Sequence, residues 1–230
     1  MATNKILIIV TNAGEYHKVG MRTGLWLGEL THFYDYVTEH GFAVDIASPS
    51  GGYVPIDPES LAHEVLGELG TDQRYADREF MNLLENTKKA SEVNVEDYDA
   101  IYFTGGHGVM FDFGGKDLGA VTARFYETDR IVSAVCHGPA GLLNVPLSNG
   151  EPLIKGKNID WLLLARRGSS TTRRRRPVQP AGGVEKLGAN YSIADKPFDT
   201  YVVEDGRLIT GQNPGSARSV AEAVVAKLQS

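Results

Sequence analysis

Four short apolar runs, each closed abruptly by small or polar residues, set the tightest limit on how this chain can fold. Lys5-Ile6-Leu7-Ile8-Ile9-Val10 ends in Thr-Asn-Ala-Gly, and Ala43-Val44-Asp45-Ile46-Ala47 ends in Ser-Pro-Ser-Gly-Gly. Ala100-Ile101-Tyr102-Phe103 runs into Thr104-Gly105-Gly106-His107-Gly108, and Ile131–Val135 into Cys136-His137-Gly138-Pro139. Continuous apolar runs of this length read as strands covered on both faces, the habit of parallel sheets. Between them, Leu25 to His40 carries Leu25, Leu30, Phe33 and Val37 near helical spacing, with Gly41 as a stop. Lys116–Asp129 and Ser216–Leu228 read as further helices, and Thr200–Val203 and Arg207–Thr210 as strands around an Asp-Gly turn. Strands alternating with helices predict an α/β fold, a doubly wound and mostly parallel sheet sandwiched by helices. The whole chain, 1–230, reads as a single domain. Residues 53–96 are polar and mixed, with helical patches around Glu59–Leu69 and Glu79–Ala90, and read as an insertion rather than core.

In such a sheet the ligand crevice lies beyond the carboxyl ends of the strands. Three unusual segments fall there: the loop after Val10, Gly105-Gly106-His107-Gly108, and Cys136-His137. Cys136 is the only cysteine in the chain. At a tight strand-to-helix turn its side chain is lifted out of the packed sheet, and free N–H groups at the helix start favour thiolate. A buried structural cysteine is the alternative. The glycine loop lets backbone approach a ligand and aim N–H donors at a developing oxyanion, or it is a turn needed only for its geometry. His107 and His137 line the pocket, or else sit on the surface or pack. Glu29 has apolar neighbours, Leu25 and Phe33, four residues away on either side. A carboxyl there is desolvated and suited to proton transfer, where the default is a solvated helical glutamate.

A single cysteine makes no internal disulfide, and no apolar run approaches the ~20 residues of a membrane span. With no signal-peptide pattern at the N-terminus, the chain is expected to be cytoplasmic with its thiol reduced and to lie on no membrane. The net charge of −6 weighs against a nucleic-acid partner.

Taken together, Lys5–Val10, Thr23-Gly24-Leu25-Trp26-Leu27-Gly28-Glu29, Ala47-Ser48-Pro49-x-Gly51-Gly52, Pro55-Ile56-Asp57-Pro58, Gly105-Gly106-His107-Gly108, Ala134-Val135-Cys136-His137-Gly138-Pro139 and Thr210-Gly211-Gln212-Asn213-Pro214 resemble the ThiJ/PfpI superfamily. That group shares the flavodoxin-like, class I glutamine amidotransferase-like fold with its nucleophile elbow. The insertion and the Thr-Gly-x-x-x-x-Glu motif look most like its heat-shock chaperone branch, which contains glutathione-independent glyoxalase III. The resemblance implies that Cys136 is the nucleophile, that Glu29 shuttles protons beside the sulfur and that the His137 imidazole assists as base. It assigns Gly105, Gly106 and His107 to oxyanion and substrate binding, the N–H groups of Gly106 and His137 forming the hole. The implied substrate is methylglyoxal or a similar 2-oxoaldehyde, and the product a 2-hydroxy acid such as D-lactate. No metal, glutathione or organic cofactor is implied. A stress-responsive chaperone holding unfolded clients, or a cysteine peptidase or amidase, is the alternative, and a homodimer is left open by analogy.

Residues 160–181 break this pattern. Six arginines stand there against Asp160 alone, a local charge of +5 that leaves −11 on the rest of the chain. Members of the superfamily generally carry Thr-Gly-Phe and paired acids here, then Val-Pro-Phe-x-Leu, one acid orienting the histidine beside the cysteine. Back-translated with freely chosen synonymous codons and read one base later, residues 160–169 give Thr-Gly-Phe-Ser-Trp-Leu-Ala-Glu-Glu. The same shift turns residues 175–180 into Val-Val-Pro-Phe-Asn-Leu. Compensating frameshifts account for both, through a sequencing error or a real lesion. A real lesion removes the acid that orients His137, a loss on the order of 10⁴-fold in the serine-protease triad. Poor order is expected over 160–181, because four consecutive arginines are not buried unpaired. Resequencing across codons 155–185 separates error from lesion: a clean read of the present frame excludes the error.

Overall fold

The strands are β1 (Lys5–Ile9), β2 (Glu15–Tyr16), β3 (Met21–Arg22), β4 (Ala43–Ser48), β5 (Lys88–Lys89), β6 (Ala100–Phe103), β7 (Ile131–Val135), β8 (Asn158–Asp160), β9 (Asn190–Ser192), β10 (Val202–Asp205) and β11 (Leu208–Gly211). Helices α1 (Leu27–Glu39), α2 (His63–Leu69), α3 (Asp72–Ala76), α4 (Arg78–Asn82), α5 (Val109–Asp112), α6 (Lys116–Glu127) and α7 (Ala217–Leu228) complete the framework. The computed structural model describes residues 3–18, 20–161, 186–196 and 198–230.

Seven of these strands form one sheet in the order β10-β11-β7-β6-β1-β4-β5. Every pairing in it is parallel except β10 with β11. The doubly wound, mostly parallel sheet expected from the apolar runs is therefore the fold. Side chains of β1 alternate between two cores: Leu7 and Ile9 join Ile101, Phe103 and Val132 on one face, while Ile6 and Ile8 join Tyr102, Val135 and the inner sides of α1 and α7 on the other. Such double-sided burial explains why the strand reads as uninterrupted apolar sequence. Deleting one such side chain, as in Leu7→Ala, costs about 2–5 kcal/mol.

The chain passes from β1 across α1 to β4 on one side, then returns to place β6 on the other side of β1. The loops leaving β1 and β6 consequently part company, and a crevice opens at that switch point. It holds the start of α1, the glycine loop after β6 and the turn after β7.

Two stretches differ from the sequence reading. Residues 79–90 are not one helical patch: α4 stops at Asn82, and Thr87 exchanges backbone bonds with Gly52 before β5 joins the sheet beside β4. Tertiary pairing overrides local helical preference here. The same region, read as lying outside the core, buries Val54, Phe80, Leu84, Ala90 and Val95. At the other edge the hairpin of β10 and β11 turns through Gly206 and Arg207, Gly206 at φ +63°, so Asp205 belongs to the strand rather than the turn.

Of the anomalous segment, Asp160 and Trp161 are placed and buried, while 162–181 lie outside the described residues. Asp160 is fully buried and, among the described residues, neither carboxyl oxygen has a hydrogen-bond partner. Its backbone N–H donates to the Thr210 hydroxyl at 3.0 Å, and that residue eases the acid. Burial pushes this carboxyl up to about 8. The folded chain holds this proton more tightly than the unfolded one, so stability falls as pH climbs from about 4 to about 8. Asp160→Asn is therefore expected to raise the melting temperature, by about 2–4 °C per kcal/mol recovered, with a larger gain at pH 8 than at pH 4. Equal melting curves at both pH values would exclude this.

Candidate active site

Cys136 follows the last residue of β7 with φ +57°, a left-handed conformation that a non-glycine residue adopts only under constraint. Its N–H is tied to the Gly211 carbonyl at 2.7 Å, so the sheet itself imposes the bend. This is the geometry of a nucleophile elbow. Directly after it comes a five-residue 3-10 turn, Gly138–Leu142, and no α-helix. The helix-start field expected to ionise the thiol is correspondingly weak.

Cys136 is 3% exposed and packs in the cluster beneath α1 and α7. Burial pushes the Cys136 thiol well above its ordinary range, and the nearby Glu29 charge adds to this. The N–H groups of His137 and Gly106 act on the sulfur in the opposite sense. The expectation of a resting thiolate is thus corrected: desolvation outweighs the donors, and the sulfur rests as a thiol. His137 Nδ1 lies 3.3 Å from Sγ, placed to accept its hydrogen in the tautomer that carries its own on Nε2.

Glu29 sits in the first turn of α1 and is fully buried. One oxygen, Oε2, accepts the Gly105 N–H at 2.5 Å, and Oε1 has no partner of hydrogen-bond geometry among the described residues. The carboxyl and the sulfur are close enough for each to move the other's proton affinity. Burial raises Glu29 to about 8, against the pull of Cys136 and the Gly105 N–H, with the Asp57 charge pushing the same way as burial. At neutral pH this carboxyl is protonated, as the sequence reading requires of a desolvated acid. Tyr102 donates its hydroxyl to the Glu29 carbonyl at 2.9 Å and stacks on Phe33 at 3.6 Å, which fixes this turn of α1 over the sheet.

The glycine loop is built to its neighbours. A Cβ on Gly105 would stand 2.5 Å from Glu29 Oε2 and 2.9 Å from the His137 nitrogen. Gly106 adopts φ +99°, and a Cβ there would meet the Gly24 carbonyl oxygen at 2.3 Å. Gly105 spends its N–H on Glu29, which leaves Gly106 and His137 as the donors directed at the sulfur. His107 is buried, its ring 5.0 Å from that of His137 and 6.3 Å from Tyr16. All six residues expected at the site, Glu29, Gly105, Gly106, His107, Cys136 and His137, meet in one place.

Asp57, within Pro55-Ile56-Asp57-Pro58, is a residue of the site that the sequence alone does not single out. An Asp before Pro reads as a cap, and Asp57 Oδ1 does cap a 3-10 turn by accepting the Glu59 N–H at 2.9 Å. Its other oxygen accepts the Thr23 hydroxyl at 2.9 Å and faces His107 Nδ1 at 3.3 Å. Burial works to raise this acid, yet His107, the Glu59 N–H and Thr23 together hold it below the ordinary carboxylate value. Asp57, Glu59 and His107 also bring one ligand atom each within 4.8 Å of one another. Two of these three groups, Asp57 and His107, already face one another at 3.3 Å.

Comparison with known proteins agrees with this geometry. A profile described as the DJ-1/PfpI family matches residues 23–159. The chain belongs to the DJ-1/PfpI family. It is 34% identical to Glyoxalase 3 of Candida albicans over 98% of both chains. It is 35% identical to the glutathione-independent glyoxalase HSP31 of Saccharomyces cerevisiae, over 96% of both. The crystal structure of glyoxalase III from Candida albicans superposes with a TM-score of 0.84 at 35% identity, covering 97% of each chain.

Keeping Glu29 dry and uncharged costs stability once the pH allows ionisation. Glu29→Gln is expected to raise the melting temperature, the gain growing from about pH 5 to about pH 8, since the folded carboxyl titrates later than the unfolded one. Gly105→Ala is expected to destabilise by about 1–3 kcal/mol through overpacking against the carboxyl and the elbow. Chemical denaturation of both variants beside the parent checks the two signs.

Proposed function

We propose that the protein is a cofactor-independent glyoxalase that converts a 2-oxoaldehyde, methylglyoxal in the first instance, into the 2-hydroxy acid D-lactate. The observation that carries this reading is a buried, protonated carboxyl, Glu29, beside the only thiol of the chain, at an elbow whose N–H groups face the sulfur. The full-length relatives named as glutathione-independent glyoxalases support it.

In this mechanism His137 Nδ1 takes the proton from Sγ, and the thiolate attacks the aldehyde carbon. The oxyanion that forms is stabilised by the N–H groups of Gly106 and His137, aimed where the charge develops. Glu29 gives its proton to that oxygen, leaving a hemithioacetal and a carboxylate. The carboxylate then removes the hydrogen from the former aldehyde carbon while the His137 imidazolium gives its proton to the neighbouring carbonyl oxygen, and an enediol forms. Glu29 returns its proton to the neighbouring carbon as the hydroxyl on the former aldehyde carbon gives its proton back to His137, which produces a thioester of the 2-hydroxy acid; water hydrolyses it to release the thiol. A carboxyl with its proton affinity near neutrality serves both the giving and the taking.

D-lactate is expected from methylglyoxal without added glutathione. Cys136→Ala should abolish it, and Glu29→Gln should cut kcat by about 10²–10⁴-fold. Above about pH 8, where Glu29 ionises before substrate arrives, kcat/KM should fall. Unchanged rates in both variants would remove the mechanism.

A further inference from the structure

The proton leaving Cys136 has few places to go. Glu29 already carries one at neutral pH, so it is not the acceptor. His137 is the neighbour in reach, 3.3 Å away, and accepting the proton makes it a cation in a site where Cys136, Glu29, His107 and His137 are all less than a tenth exposed. A buried cation is costly unless an anion faces it. Beyond the His107 ring on that side stands the Asp57 carboxylate, itself 2% exposed.

We propose that Asp57 and His107 are positioning residues that act on Cys136 through His137, forming a line Asp57–His107–His137–Cys136. Asp57 Oδ2 lies 3.3 Å from His107 Nδ1, and the two imidazole rings are 5.0 Å apart between centroids. An ionised carboxylate only accepts hydrogen bonds, so Nδ1 of His107 carries the hydrogen and the tautomer of that ring is set. The positive charge created on His137 when the thiol ionises is then balanced by the Asp57 carboxylate across His107. No bond is made or broken at Asp57: the proton moves from Sγ to His137, and the acid supplies the counter-charge.

The backbone holds both ends of this line in register with Glu29. Asp57 donates its N–H to the Leu25 carbonyl at 2.9 Å, and Leu25 donates to Pro55 at 2.8 Å. Trp26, one residue further along, bonds its N–H to the Gly105 carbonyl at 3.3 Å. Asp57 is therefore fastened to the entry of the helix that bears Glu29, and through Thr23 to the same segment. Its charge also favours the protonated form of Glu29. One anion thus disfavours a second negative charge at Glu29 and favours the positive one at His137.

This inference rests on Cys136 being the nucleophile of the proposed reaction, but its test does not need substrate. Because the chain has one cysteine, the rate of iodoacetamide alkylation reads the ionisation of that sulfur alone. Asp57→Asn keeps the size of the side chain and an oxygen for Thr23 or the Glu59 N–H. It is expected to slow alkylation at pH 7 by on the order of 10-fold or more, and to lower kcat by about 10²–10⁴-fold with KM within a few-fold. His107→Gln should do the same, and the double variant should be no slower than His107→Gln alone, as residues acting in one line are non-additive. Parent-like alkylation in either single variant, or losses that multiply in the double, would overturn the line. Should Asp57→Asn not fold, the alkylation rate of His107→Gln decides alone. An alkylation defect in a protein without glyoxalase activity would keep the line and discard the reaction.

Discussion

The hydrogen bond from the Gly105 N–H to Glu29 is the interaction on which the site depends. It joins the loop leaving β6 to the first turn of α1 and fixes a carboxyl that burial keeps uncharged. An acid in that position without a donor would turn toward water, and the first turn of α1 would loosen with it. The glycine is required on both counts: its N–H holds the oxygen, and the absence of a side chain lets the His137 nitrogen stand close by. The strained backbone of Cys136 is tolerable for a related reason. The Gly211 carbonyl and the strand pairing of β7 with β11 and β6 leave it no other course.

Burial rather than helix polarity sets the proton affinities here. The thiol and Glu29 are both raised by desolvation, so the resting site carries little negative charge near the sulfur. Negative charge is instead kept at Asp57, a little farther out, where the Thr23 hydroxyl, the Glu59 N–H and His107 surround it. Separating the stored anion from the reacting sulfur lets the nucleophile form at the moment the proton finds an acceptor.

Much of this was legible in the residues because the physics was local. Apolar runs such as Ile6–Val10 have no plausible place outside a sheet covered on both faces, and their glycine-rich ends mark the crevice. Gly106 and Cys136 announce themselves through turn chemistry. Glu29 was readable from its apolar neighbours at helical spacing. What the sequence left hidden depended on distance along the chain. Asp57 reaches His107 across fifty residues, and the two-residue strand at Lys88–Lys89 exists because Ala47 and Ser48 offer it a partner. The thiolate expectation failed for a similar reason: the thiol is desolvated by residues far away in the chain that pack around Cys136.

The depth at which the lone sulfur rests has a further chemical meaning. Peroxide and similar oxidants react with thiolate far faster than with thiol. By remaining protonated and almost wholly shielded until an acceptor draws its hydrogen away, Cys136 offers them little to attack. The shielding that slows its first move also preserves the atom for the next turnover.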